Sequence, residues 1–393
     1  MNILFITRYP ITDQKGGIER ISDIIIRSLP SNYKVFSAYI NESRHKKTPV
    51  KAFLNIGHDS DLLYEFVKHH DIDIIVNQQC YELDDKIATI KNELSIKTIF
   101  FQHDKTIDPY VPLMRSFGYA LCAQIPLKNK FTFLSKLLLF PLYYKLKTLR
   151  DRRLFRNIYN NNDRLLILTP RYLPILLKTL GIISDDKHRI GIINNSLTLN
   201  NPIETPIQSR PQKVLIVSRM TEERKRILLA LKIWRLLQSR YPGLNSWELE
   251  LVGSGEYLSL YKSYIDKHKV QNVIFKGQVN DINPHYASSQ IFMMTSYSEG
   301  WGLTVTESQQ YGVVPIAFNS YEAINDIITT DYNGILVTEG DIDGYVNQLA
   351  SLMLSAEKRE TLSYNAQISC KRYSVDNIVN QWITVFNDVS SIK

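Results

Sequence analysis

Short, wholly apolar runs recur along this chain, alternate with helix-like stretches, break off, and then begin again. ILFIT (3–7), DIIV (73–76), TIFF (98–101) and RLLIL (164–168) are too short for helices. They are also too continuously apolar for strands with one face in water, so they read as parallel strands buried on both faces. After residue 212 the series restarts with KVLIVS (213–218), WELELVG (247–253), NVIFKG (272–277), IFMMTS (291–296), VVPIAF (313–318) and GILVT (334–338). Amphipathic stretches such as RILLALKIWRLLQSRY lie between them, and strands alternating with helices specify doubly wound α/β sheets. Two series in 393 residues predict two domains, because a single core rarely grows that large.

The break falls in NNPIETPIQSRPQK, where Pro202, Pro206 and Pro211 lie within ten residues. That density suits an extended connector better than a helix or a central strand. The expected division is therefore an N-terminal Rossmann-like domain at 1–200, a linker at 201–212 and a C-terminal Rossmann-like domain at 213–373. The final stretch, SVDNIVNQWITVF (374–386), reads as an amphipathic helix with Ile378, Trp382 and Phe386 on one side. Ligands of open α/β sheets bind outside the carboxyl ends of the strands, so two such halves would hold their ligand in a cleft.

Cys80, Cys122 and Cys370 are scattered, odd in number and free of any C-x-x-C pair, which argues against a disulfide framework or zinc site and for a reducing compartment. MNILFIT reads as a buried strand rather than a signal peptide, and no run approaches the roughly 20 apolar residues of a spanning helix. The expectation is a cytoplasmic protein. D-x-D spacing at Asp71/Asp73 and Asp341/Asp343 reads as strand- and helix-start structure, and no metal is expected.

The net charge of +8 is concentrated between 127 and 157, where nine Lys or Arg face one acid, Asp151. The same segment holds FTFLSKLLLFPLYY, and Pro141 divides it into two helices. It could lie on an anionic bilayer at the inner face of the membrane, each basic residue contributing about 1 kcal/mol. It could equally be an ordinary helix pair with solvated charges. A nucleic-acid surface lacks a supporting motif.

SYSEGWGLTVTE (296–307) places Glu299 and Glu307 on either side of Gly300 and Gly302. Strand, loop and helix are expected in that order, the helix beginning near Leu303 or Thr304 with Glu307 in its first turn. An ionised carboxylate there complements the helix dipole, and it also suits the two vicinal hydroxyls of a ribose. The glycines would let backbone N–H groups approach a phosphate or sugar, or they simply make the turn. VSRMTEERKR puts Arg219 and Lys225 in the loop after the restart strand, either as solvated charges or as a diphosphate clamp. LVGSGE adds Gly253 and Gly255 at the next strand end.

Together these segments resemble glycosyltransferase family four, retaining nucleotide-sugar-dependent enzymes of the GT-B fold. The family's motif Glu-Gly-(aromatic)-Gly-Leu-x-x-x-Glu is matched by Glu299, Gly300, Trp301, Gly302, Leu303 and Glu307. KGGIER (15–20), RIGIINNSL (189–197) and YGVVPIAF resemble further family segments, so the likeness covers nearly the whole chain, least so at 127–160. The resemblance implies two Rossmann-like domains facing a central cleft, with the last helix (about 374–393) crossing back to the N-terminal domain. It implies that Arg219 and Lys225 hold the diphosphate of a UDP- or GDP-sugar, that Glu307 holds the ribose, and that Glu299 with the amides of Gly300 to Leu303 binds the transferred hexose. Gly16 and Gly17 would approach the phosphates, and Gln278 and Val279 would border the base.

Many family members carry a His after the strand that here reads DIIVNQQC; this chain has Asn77, Gln78 and Gln79. His103, in FFQHDKT, would then contact donor or acceptor, or be a satisfied loop histidine; if a base is required, it or Asp104 would serve. The implied activity is retaining transfer of a hexose to a lipid-linked or cell-surface glycan in polysaccharide, capsule or lipopolysaccharide assembly, with no cofactor beyond the donor. A non-catalytic GT-B subunit that binds glycan or a partner transferase is the alternative.

Overall fold

A computed structural model of the chain describes residues 1–13, 16–42, 50–57, 61–105, 114, 127–185, 188–199 and 205–392. Pro202 and the first four linker residues, Lys15, Cys122 and the side chain of Lys128 lie outside the described residues. Among those described, thirteen strands form two parallel sheets. The first contains β1 (Asn2–Thr7), β2 (Lys34–Tyr39), β3 (Phe53–Asn55), β4 (Ile74–Asn77), β5 (Lys97–Gln102), β6 (Arg164–Ile167) and β7 (Ile190–Ile192). Its order is β3-β2-β1-β4-β5-β6-β7. The second contains β8 (Lys213–Val217), β9 (Glu248–Val252), β10 (Val273–Gly277), β11 (Ile291–Met294), β12 (Val314–Asn319) and β13 (Ile335–Thr338), ordered β10-β9-β8-β11-β12-β13.

The apolar runs of the sequence become the central strands, with β1, β4, β5, β8, β11 and β12 almost wholly buried. Two strands of the first sheet have no such run. β2 (KVFSAY) includes Lys34 and Ser37, and the three-residue β3 pairs only with β2, so pairing rather than composition defines them. Both sheets reverse direction next to their first strand, between β1 and β4 and between β8 and β11. Such a reversal splays the following loops apart and leaves a crevice at the carboxyl ends of the two strands.

Two compact units contain the two sheets: Met1–Ile107, Leu146–Thr198 and Tyr373–Lys393 make the first, Asp108–Lys145 and Leu199–Arg372 the second. Residues 108–145, read from sequence with the first domain, thus group with the second unit in their described part. Pro141 does separate two helices, Leu127–Leu138 and Phe140–Asn161, and sits second in the latter, where its missing N–H breaks no helical bond.

The last helix, Val375–Ser390, belongs to the first unit. Ser374 caps it by accepting from the Asn377 amide, and Ile378, Trp382 and Phe386 are buried. The Trp382 ring lies 6.1 Å from Phe5 of β1, 5.4 Å from Phe101 of β5 and 5.5 Å from Phe386. Removing so large a buried ring costs about 3–5 kcal/mol. Trp382→Ala is therefore expected to lower the urea midpoint of the first unit's transition, read by hydrogen exchange of the β1 and β5 amides; an unchanged midpoint would show that the helix does not stabilise that unit.

Candidate functional site

The second sheet's reversal brings the loop after β8 beside the loop after β11, and this is where the charged residues gather. β8 ends at Val217, a short helix spans Glu222–Lys225, and the Lys225 ammonium pairs with Glu299 Oε1 at 2.5 Å. Both side chains keep some exposure, 25% and 17%, so the pair contributes only about 0–1 kcal/mol and stays open to a ligand. A narrow recess beside them is lined by Ser218, Lys225, Thr295, Ser296 and Thr304.

Arg226, which the sequence reading passed over, holds the two loops together. Its backbone is left-handed (φ 52°) and ends the short helix, so that Ile227–Arg240 starts in a new direction. Its guanidinium donates to the Thr295 carbonyl at 2.6 Å and to both oxygens of Glu339 at 2.5 and 3.0 Å. Thr295 Oγ1 donates back to the Lys225 and Arg226 carbonyls at 3.0 Å, and the Tyr297 amide donates to the Arg224 carbonyl. Lys225 and Glu299 therefore ride on loops that are stitched to each other.

Gly302, with φ 109°, begins the helix Leu303–Gln310, and a Cβ there would meet the Tyr321 hydroxyl at 2.5 Å. Because the helix starts at Leu303, Glu307 is its fifth residue and lies in the second turn, not the first, about 6 Å along the axis. Complementing the dipole therefore does not explain it, since that effect fades beyond the first turn. Glu307 is 2% exposed, and its Oε2 accepts from the Tyr286 hydroxyl at 2.8 Å. Tyr286 sits on the short helix Asn283–Ala287 beside His285, whose Nδ1 lies 2.6 Å from Glu250 Oε1. Glu250 is buried in β9; burial alone would raise its pKa, but hydrogen bonds from His285 and Lys213 hold it below the ordinary carboxylate range. The charge in β9 thus anchors the helix that presents Tyr286 to Glu307.

The other residues singled out in the second unit also follow strand ends. Gly253 (φ 134°) and Gly255 lie against the β8 loop: a Cβ would come within 1.9 Å of the Ser218 carbonyl oxygen and 2.2 Å of the Met220 carbonyl oxygen, respectively. Their glycines are thus accounted for by chain packing against the loop that carries Arg219. Arg219 and Gln278 are exposed, Val279, Gly300 and Leu303 half-buried, and Trp301 buried. The D-x-D aspartates have structural partners: Asp341 caps Ile342–Leu354 through the Gly344 amide, Asp343 pairs with Arg240, and Asp73 accepts from the Asn2 amide.

In the first unit, Gly16 (φ 83°) precedes the helix Gly17–Ser28 after β1, and Glu19 folds over it where a Cβ would sit. After β4, Asn77 bonds both backbone polar groups of Cys80. Gln78 Oε1 lies 2.6 Å from His103 Nε2, and Gln79 Oε1 accepts from the His103 amide at 2.6 Å. Asn77, Gln78 and Gln79 thus hold the loops after β4 and β5, and both the ring and the amide of His103 are engaged. With Gln78 accepting, Nε2 carries the proton and Nδ1 keeps the lone pair. Burial lowers the His103 pKa to about 3.

An unfolded histidine titrates near 6.5, so between about pH 6.5 and 3 the unfolded chain binds a proton that the folded one refuses. Stability from this site is present above 6.5 and is lost as pH falls, by about 1.4 kcal/mol per pH unit. The unfolding free energy of the wild type minus that of His103→Gln, from urea melts at pH 7, 6 and 5, is expected to fall with that slope; a difference independent of pH would mean that His103 protonates in the folded protein.

Residues 200–369 match the family model for glycosyl transferases, group 1. An uncharacterised glycosyltransferase of Haemophilus influenzae is 28% identical over 39% of this chain and 42% of its own length, so the chain spans less than half of that relative. The amylovoran biosynthesis glycosyltransferase AmsD of Erwinia amylovora is 23% identical over 83% of this chain and 93% of its own. Among solved structures, Anabaena HepE in complex with UDP and glucose superposes with a TM-score of 0.70 at 17% identity, over 99% of this chain and all of that one. The protein therefore has the two-sheet GT-B fold, and the match to the glycosyl transferases group 1 model falls on the part that carries the second sheet.

Proposed function

We propose that the protein is a retaining glycosyltransferase that moves a hexose from a nucleoside-diphosphate sugar to a lipid-linked or cell-surface glycan. The observation that carries this reading is the Lys225–Glu299 pair at the reversal between β8 and β11, with Glu307 buried on the helix that follows. Lys225 and Arg219 would take the diphosphate and stabilise the charge that grows on the departing nucleotide. Once Lys225 turns to the phosphates, the Glu299 carboxylate is released to accept from hydroxyls of the transferred sugar. Glu307, oriented by Tyr286, would accept from the ribose hydroxyls. Support for a nucleotide-sugar donor comes from the UDP and glucose in the HepE complex, and support for a polysaccharide acceptor from the amylovoran role of AmsD. A lipid-linked acceptor would be met at a membrane face, and the basic, apolar segment 127–157 would be the part to meet it.

The donor site is tested by melting curves with UDP-, GDP-, ADP- and dTDP-sugars. A ligand at one hundred times its dissociation constant adds about 2.7 kcal/mol. One nucleotide class is expected to raise the melting temperature, and Glu307→Ala should abolish the shift. Tyr286→Phe removes the hydrogen bond that orients Glu307, so it should shrink the nucleotide-sugar shift while leaving some of it. No shift with any nucleotide sugar, from well-folded protein, would favour the non-catalytic subunit.

A further inference from the structure

Lys225 stands on a helix too short to hold itself. Glu222–Lys225 is a single turn, Thr221 gives it no side-chain cap, and an isolated turn of that length is unstable in water. Arg226 ties down its end through Thr295 and Glu339, which leaves its beginning to be held by something else. The holding contacts come from the helix after β9. Tyr257 immediately precedes the helix Leu258–His268 and Tyr261 lies in its first turn, so the two share a face. Their rings stack 6.4 Å apart and both are buried. The Tyr257 hydroxyl donates to Glu223 Oε1, and the Tyr261 hydroxyl donates to Glu222 Oε2 at 3.1 Å. The same Glu222 oxygen accepts from the Leu228 amide at 3.0 Å, so one carboxylate joins the turn before Arg226 to the helix after it.

Packing alone does not call for those hydroxyls. Phenylalanine would fill the same space, whereas a buried hydroxyl must recover its lost hydration through a hydrogen bond. Burial pushes both phenols above their ordinary range, and the carboxylates beside them push the same way, so each hydroxyl keeps its proton and remains a donor. Glu222 feels the opposite balance. Burial raises it, the bonds from Leu228 and Tyr261 and the charges of Lys232 and Arg226 lower it, and burial wins, leaving its pKa at about 7. At pH 8 it is therefore mostly ionised, and the bond from Tyr261 is charge-assisted. Both acids held in this way belong to the same turn as Lys225.

We propose that Tyr257 and Tyr261, acting through Glu223 and Glu222, are positioning residues that set where the Lys225 ammonium stands. This deepens the donor reading above and rests on it for its purpose, since Lys225 is the group given there to the diphosphate. Tyr261→Phe keeps the ring and removes the donor. Binding of the nucleoside diphosphate whose sugar the melting curves select is measured by calorimetry at pH 8, with Lys225 present and in a Lys225→Ala background. Tyr261→Phe is expected to weaken binding roughly tenfold where Lys225 is present and by less than about twofold where it is absent, because a residue acting through Lys225 then has nothing to position. Equal losses in the two backgrounds would mean a general loosening, and no loss in either would mean that the hydroxyl is idle; each overturns the proposal. A second arm needs no nucleotide. In the full-length protein, Tyr257→Phe/Tyr261→Phe is expected to speed hydrogen exchange of the amides of 222–228 at least about tenfold relative to those of β9. Unchanged exchange at 222–228 would also sink it. A wild type that binds no nucleotide but shows the expected exchange would remove the donor reading and leave the placement of Lys225 standing, so the two failures are told apart.

Discussion

A carboxylate with 2% exposure has to be answered by the protein around it, and much of the second unit is arranged to answer Glu307. Leaving such a group unpaired costs several kcal/mol. The Tyr286 hydroxyl supplies one donor, at 2.8 Å from Oε2. Tyr286 is itself fully buried and stacks on Tyr311 at 5.8 Å, which leaves the hydroxyl little freedom to move. The helix beneath it is fixed in turn by His285 to Glu250. The chain of support runs from a charge in β9, through a five-residue helix, to the group proposed to read the ribose.

Arg226 does for Lys225 and Glu299 what Tyr286 does for Glu307, by a different means. Its guanidinium ends in a buried fork between the Thr295 carbonyl and the Glu339 carboxylate, so one side chain sets the spacing between the loops after β8 and β11. Arg226 is the enclosed partner and Glu339 the exposed one, so losing Glu339 would leave the buried guanidinium without its counter-charge. The neighbouring Glu222 caps the next helix by accepting from the Leu228 amide, and burial raises its pKa to about 7. Its contribution runs opposite to that of His103: it is present below the ordinary glutamate range and is lost as pH rises through about 7. The two units thus carry buried groups whose pH responses have opposite signs.

The sequence shows the architecture because parallel strands buried on both faces must be apolar throughout, and such runs are visible without any partner. β2 and β3 escaped because pairing defines them, β2 beside β1 and the short, unburied β3 beside β2. The paired glutamates, the glycines and Lys225 are legible because short-range geometry dictates their spacing. Arg226, Tyr286 and Glu250 are not: each acts through a partner that is distant in sequence, 113 residues for Arg226 and Glu339, 21 for Tyr286 and Glu307 and 35 for Glu250 and His285. Nothing local distinguishes Arg226 from Arg224 beside it. The misplaced turn of Glu307 has the same origin, since the helix start is set by Gly302 against Tyr321, a contact across nineteen residues.

Gly253 and Gly255 show how an apparent ligand signal can arise from packing. A glycine pair at a strand end suggests an approach by phosphate, yet here the atoms that fill the Cβ positions are the carbonyls of Ser218 and Met220. The Met220 amide donates to the Ser254 carbonyl at 2.9 Å, so the two loops are hydrogen-bonded as well as in contact. Any side chain at 253 would push the β8 loop away, and with it the turn that delivers Lys225 to Glu299. Those glycines therefore act on the site at one remove, by letting two backbones close to a distance that fixes where the ammonium can stand.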